Sequence, residues 1–255
     1  MSACSIFDLE PIPGIEDKND LRELAANLKR IQAEQYPERA IFCLGECHTK
    51  VFSYIGARYR SFKTPIVALP RRGATAAGLP KLRTETKSKL FFSTYLKYVN
   101  PAATLIFCFG EVDCNLVIPF RMEKNNSTAE QEIQFCIRNY FTFLDSVRRK
   151  GFSRIVLYNV ELPSQFTTHH PKNPKRTMRL DIRARTRITV RFNQVLRERC
   201  QERGFSFIDL EPRMLDPQTT LVREEFLTGD PSAHNLKLKA LAPLVVEELR
   251  RLGYD

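Results

Sequence analysis

Three short segments carry the residues whose types and spacing suggest chemistry. The first is Ala40-Ile41-Phe42-Cys43-Leu44-Gly45-Glu46-Cys47-His48-Thr49, an apolar run that stops at a glycine and delivers Cys47. The run reads as a buried strand and the amphipathic stretch after Thr49 as a helix, so Cys47 stands at a strand-to-helix turn. A thiol held there is partly exposed at the edge of a sheet, and the helix N-terminus beside it favours the thiolate, the form that attacks carbonyls. The same residue also reads as a core cysteine near a strand end, since unpaired cysteine is among the most buried residue types. The second segment is Gly110-Glu111-Val112-Asp113-Cys114-Asn115, and the third is Gly229-Asp230-Pro231-Ser232-Ala233-His234.

These segments need elements to position them. Asp20 is a candidate cap for a helix from Leu21 to about Gln35, where Leu21, Leu24, Leu28 and Ile31 form one stripe, and Pro37 ends it. The strand before Cys47 follows, then a helix through Val51, Tyr54, Ile55 and Arg58. Pro65–Leu69 reads as a short buried strand, followed by a loop from Arg71 to Gly78. A helix is expected over Lys87–Val99, and Ala103–Phe109 is apolar enough for the middle of a parallel sheet. Thr128–Lys150 reads as a long helix stopped by Gly151, Arg154–Val160 as a strand, Arg179–Arg203 as a helix closed by Gly204, Phe205–Leu210 as a strand, and Leu236–Leu252 as the last helix. Strands alternating with helices imply a three-layer α/β/α sandwich with a central, mostly parallel, flavodoxin-like sheet. The polar loops then gather at the carboxyl edge of that sheet, where ligands bind.

Composition sets outer bounds. A chain of 255 residues, 43% of them hydrophobic, can bury a full core, and no internal repeat or linker divides it. One domain over residues 1–255 is expected, with 1–38 forming a leader and its helix. No apolar run approaches the roughly 18 residues of a membrane span, and the beginning of the chain lacks the basic and apolar regions of a signal peptide. Seven cysteines, odd in number and without paired zinc-finger spacing, suggest reduced thiols and a cytoplasmic address. The net charge of +11 suggests an anionic partner. Eleven Lys and Arg against three acids fall between Lys172 and Arg203, but few aromatic residues accompany them, which argues against single-stranded nucleic acid.

In order and spacing, the three segments together resemble the SGNH, or GDSL-type, hydrolase family. That family has a Gly-Asp-Ser turn after the first strand, a glycine after the second, a Gly-x-Asn-Asp turn after the third and an Asp-x-x-His pair before the last helix. Gly110-Glu111-Val112-Asp113-Cys114, Gly73-Ala74-Thr75-Ala76 and Arg191-Phe192-Asn193-Gln194-Val195-Leu196 look most like the branch met among enzymes of surface-polysaccharide biosynthesis. The sequence departs from the family pattern at three points. Cys47 stands where serine would be, Val112 where the oxyanion-hole asparagine would be, and Asp230 to His234 is one residue longer than Asp-x-x-His.

The resemblance implies a hydrolase or acyltransferase that acts on an ester or thioester, with an O-acylated carbohydrate as one substrate. In it Cys47 is the nucleophile, His234 the proton shuttle and Asp230 a loose orienting group, since a thiol beside an imidazole ionises readily. The oxyanion donors would be the backbone N–H groups of Cys47 and Gly73, with Gly78 competing for the latter role, and Asn115 as a side-chain substitute or a plain turn residue. Asp113 reads as a buried carboxylate that ties its turn to neighbouring N–H groups. His48 reads as a cap or a solvent contact. No cofactor is expected and no metal site, since His169 and His170 have no Asp or Cys at ligand spacing. Arg71 and Arg72, with Lys172, Lys175, Arg176 and Arg179, are candidates to hold an anionic part of the substrate. The other reading is a non-catalytic SGNH-like binding protein with a degenerate site.

Overall fold

The computed structural model describes residues 17–33, 38–164, 178–230 and 233–255. Its elements run in chain order as α1 (Lys18–Ala33), β1 (Ile41–Gly45), α2 (Lys50–Arg58), β2 (Ile66–Pro70), α3 (Ser88–Tyr95), β3 (Thr104–Cys108), α4 (Ile118–Asn125), α5 (Ala129–Arg148), β4 (Ile155–Tyr158), α6 (Ile182–Arg203), β5 (Ser206–Ile208), α7 (Glu211–Met214) and α8 (Leu238–Arg251). The strands form one sheet of order β2-β1-β3-β4-β5, and every pairing is parallel. This is the expected sandwich.

Alternation along the central strands explains the two layers. Phe42, Leu44, Leu105 and Phe107 face one core with Leu24, Phe91, Phe92, Tyr140, Leu144 and Phe192, drawn from α1, α3, α5 and α6. Their neighbours Ile41, Cys43, Ile106 and Cys108 face the other, with Phe52, Ile55, Val245 and Leu249 from α2 and α8. Because both faces are covered, β1 and β3 are buried throughout and read as continuous apolar runs. Cys43 and Cys108 belong to this core.

Local signals set the helix ends. Thr128 and Gln131 form a reciprocal capping box at the start of α5. Asp181 accepts a hydrogen bond from the Ala184 N–H at 2.7 Å to open α6, and Gly204, at φ 68°, closes it. The first helix starts earlier than its apolar stripe suggests. Asp17 is its cap, accepting from the N–H groups of Asn19 and Asp20, while Asp20 turns its carboxylate to Arg71. Two helices carry no sequence expectation, α4 and the single turn α7. Among the described residues no helix is long and apolar enough to cross a membrane.

The strand order reverses direction between β1 and β3: the chain leaves β1 for β2 on one side and returns to β3 on the other. Loops leaving these two strands diverge and open a crevice at the carboxyl edge. Gly45 and Gly110 let the backbone enter it. A Cβ on Gly45 would lie 2.3 Å from the Cys108 carbonyl oxygen, and one on Gly110 2.4 Å from Val160 Cγ2.

Candidate active site

Cys47 opens a short 3₁₀ turn, Cys47–Thr49, that leads into α2. The turn is capped by its own neighbour. One oxygen of Glu46, Oε2, accepts from the His48 N–H at 3.1 Å, lies 2.8 Å from His48 Nδ1 and accepts the Cys47 thiol at 3.1 Å. Cys47 Sγ is 3.8 Å from the same imidazole nitrogen. The other ring nitrogen, Nε2, lies 3.2 Å from the His234 carbonyl oxygen and 3.6 Å from Glu161 Oε2. His48 is therefore the buried centre of the site. The sequence expectation of a cap or solvent contact is corrected, because the ring is enclosed by Glu46 and Glu161 rather than by water.

The loops after β3 and β4 complete the surround. After Gly110 the chain enters a helical turn that widens into a π segment over Asp113–Val117 before α4, a distortion frequent at functional sites. Within it Asn115 Nδ2 donates to Glu111 Oε1 at 2.7 Å, and Asn115 Oδ1 accepts from Arg185 at 3.1 Å. Glu161 follows β4 and accepts from the Tyr158 hydroxyl at 3.3 Å. The loop of His234 is tied in by Ser164, whose hydroxyl donates to the Ala233 carbonyl at 3.0 Å. The His234 ring meets His48 edge to face, with centroids 6.2 Å apart, and its Nε2 lies 3.2 Å from Asn235 Nδ2.

The charges follow from this packing. Burial pushes the Cys47 thiol up to about 11, against the pull of His48 and with the push of Glu46 and Glu111. Burial would lower His48, but the carboxylates of Glu46 and Glu161 outweigh it and hold the imidazolium well above its usual range. Glu46 is raised by burial and lowered more by His48, and it sits below the ordinary carboxyl range. Glu111 and Glu161 are each raised by burial to about 7. Asp113, fully buried, is raised to about 6 despite accepting the N–H groups of Ala76 at 2.6 Å and Ala77 at 3.0 Å. It ties the loop after β2 to the turn after β3.

The remaining candidates fall as follows. Gly73, at φ 70°, sits in the turn closed by the bond from the Ala74 N–H to the Arg71 carbonyl, while the Gly78 N–H is taken by Thr75. The Asn115 amide nitrogen gives one N–H to Glu111, and its oxygen accepts from Arg185. Arg71 is corrected as an anion ligand. Its guanidinium bonds Asp20 and Glu23, both at 2.7 Å, donates to the Thr86 carbonyl and stacks on Phe91 at 3.9 Å, all of which pin α1 to the end of β2. Arg72 is exposed. Arg179 pairs with Glu123 and lies over Phe120. Asp230 is exposed, in the turn where its carbonyl accepts the Ala233 N–H. Lys172, Lys175, Arg176, His169 and His170 lie outside the described residues. Sequence reading passed over Glu46, Glu111 and Glu161. A signal existed, since each is a glutamate within three residues of the end of a buried strand.

No protein-family model matches the chain, and no curated protein matches its sequence. Solved structures do. A GDSL-like lipase of Bacteroides thetaiotaomicron VPI-5482 superposes with a TM-score of 0.59 at 9% identity, over 91% of this chain and 97% of the other. An acylhydrolase candidate of Bacteroides fragilis NCTC 9343 gives 0.58 at 11% identity, over 93% and 99%. A G-D-S-L family lipolytic candidate of Desulfitobacterium hafniense DCB-2 gives 0.51 at 10%, over 83% and 98%. The chain has the GDSL-like fold. Within that fold Cys47 follows the first strand, Glu111 the third, and His234 precedes the last helix.

Proposed function

We propose that the protein is a thiol-dependent acyl-transfer enzyme in which Cys47 attacks an ester or thioester carbonyl. The observation that carries this reading is the thiol at the start of a helical turn on the crevice edge, in contact with the buried imidazolium of His48, whose ring in turn meets that of His234. In the first step the bond from Sγ to the acyl carbon forms, His234 takes the thiol proton, and the same proton goes to the departing oxygen or sulfur as its bond to carbon breaks. Water or an acceptor hydroxyl then takes the acyl group from Cys47, which distinguishes hydrolysis from transfer. His48 offsets the charge of the sulfur as it loses its proton, and Asp230 orients His234 loosely, which a Cys–His pair tolerates better than a Ser–His pair.

Oxyanion donation falls to the N–H groups of Cys47, which as the first residue of its turn lacks an intrahelical partner, and of Gly73. Two carboxylates, Glu46 and Glu111, crowd the thiol, which disfavours an anion at the reacting carbon. We therefore assign a neutral ester, with an O-acylated sugar as the carbohydrate form of that class. A reducing compartment such as the cytoplasm belongs to this reading, because the six described cysteines are free and an oxidised Cys47 is spent. The test is mass spectrometry after incubation with an activated acetyl ester in the presence of a chelator. Wild type should carry acetyl on the Cys47 peptide, Cys47→Ala should carry none, and His234→Ala should label at least tenfold more slowly. Equal labelling of wild type and Cys47→Ala, or none in either, removes the proposal and leaves a binding protein with a degenerate site.

A further inference from the structure

The crevice holds a set of side chains that acyl transfer does not use in full: Glu46 and Glu111, with Glu161 behind them, crowd a cysteine and a histidine. Sγ of Cys47, a ring nitrogen of His48 and carboxylate oxygens of Glu46 and Glu111 all lie within 4.8 Å of one another. The geometry points to a binding site for a thiophilic divalent cation, with Zn²⁺ the ion whose preferences fit this donor set.

Three observations carry it. A tetrahedral Zn²⁺ with one sulfur, one imidazole and carboxylate oxygens has donor-to-donor edges of about 3.3–3.6 Å. The separations between Glu46 Oε2 and His48 Nδ1, Glu46 Oε2 and Cys47 Sγ, and Cys47 Sγ and His48 Nδ1 are 2.8, 3.1 and 3.8 Å. Each needs to change by only about half an ångström. Second, the partners that hold metal ligands in place are already present. A metal-bound histidine gives its other ring N–H to a carbonyl or carboxylate, and His48 Nε2 faces the His234 carbonyl at 3.2 Å and Glu161 at 3.6 Å. Glu111 is likewise held by Asn115 and Glu161 by Tyr158. Third, Glu46, Glu111 and Glu161 are buried together, and the buried basic groups beside them are His48 and Arg185. Buried carboxylates need pairing or a metal, and a divalent ion supplies two charges at their centre.

Coordination displaces the proton on Sγ and the proton on Nδ1 of His48, both of which leave to the buffer, and the sulfur binds as thiolate. The site shares Cys47 with the acyl-transfer reading but stands on the donor atoms alone. Metal and acyl group exclude each other, so the loaded protein should resist acetylation and a chelator should restore it.

The experiment uses Co²⁺ as a spectroscopic stand-in, titrated into the chelator-treated full-length protein while the near-ultraviolet thiolate-to-cobalt absorption is followed. The expected result is a band that saturates at one Co²⁺ per chain, is lost in Cys47→Ser and is displaced by one equivalent of Zn²⁺. Glu111→Gln should weaken Co²⁺ binding at least tenfold, and Glu161→Gln, which touches no donor atom but His48, should weaken it less. Circular dichroism superimposable on wild type qualifies each variant as folded. Absence of the band in wild type overturns the site, as does a band whose affinity is the same in folded Glu111→Gln. Acetylation of Cys47 in chelator is scored separately, so either proposal can fail while the other stands.

Discussion

Arg71 shows how much a single side chain can change role between sequence and structure. From its position before Gly73 it reads as a ligand for an anion, and in the fold it ties α1 to β2 through two carboxylates, a carbonyl and an aromatic face. Arg71→Ala should cost about 2 kcal/mol in chemical denaturation, because it takes the partner from Glu23 and leaves Asp20 with Lys87 alone. Arg71→Lys should not recover it, since a single ammonium nitrogen cannot span the partners held by three guanidinium nitrogens or lie flat on Phe91. Arg72→Ala, at an exposed position, should stay within about 0.5 kcal/mol of wild type. Equal losses at the two positions would mean that the clamp does not hold α1. Chain order in the sequence pointed to Cys47, His234 and the Asp113 turn as candidates. His48, Glu111 and Glu161 were harder to read: the two glutamates show only their place just after buried strands, and the contacts that gather all three join loops distant in sequence.

Elements were easier to read than their contacts. The five strands and the long helices appear within a few residues of expectation, because burial on both faces writes continuous apolar runs and because Thr128, Gly151, Asp181 and Gly204 mark helix ends by local chemistry. The π segment at Asp113–Val117 had no such signal. It goes with the pull of Asp113 toward Ala76 and Ala77 and of Asn115 toward Arg185, partners distant in sequence, besides the local bond of Asn115 to Glu111. Thr128→Ala should lower stability by about 1 kcal/mol without altering metal binding or acylation, since it removes a cap far from the crevice. Asn115→Ala should cost more, about 2 kcal/mol, by removing the buried amide that Glu111 and Arg185 share. A melt in which both variants lose the same amount would show that the widened turn is not held by this amide.

For the molecule as a whole, several of the cations behind the charge of +11 are already paired on the surface, among them Arg191, Arg203 and Arg213 with Glu130, Asp145 and Glu247. Such exposed pairs contribute little each. Stability against pH should instead follow the buried acids. Glu211, beneath β5, is raised by burial from 4.5 to about 7 and accepts from Asn193 at 2.6 Å. Between those values the folded chain keeps a proton that the unfolded chain has released, so stability falls as pH rises through the interval. The urea midpoint of wild type should be lower at pH 8 than at pH 5, and Glu211→Gln should remove a share of that fall on the order of 2 kcal/mol. Parallel pH profiles for the two proteins would exclude Glu211 as a source.

The two bonds from the Ala76 and Ala77 amides to Asp113 have a consequence for motion. The stretch from Arg71 to Thr86 contains one short 3₁₀ turn and would, as a loop, be expected to open often. Latched to a carboxylate in the turn that follows β3, it opens only when the centre of the sheet lets go. In deuterium exchange the amides of Ala76 and Ala77 should then report on the lifetime of the core, and Asp113→Ala should release them to exchange on the timescale of an ordinary surface loop.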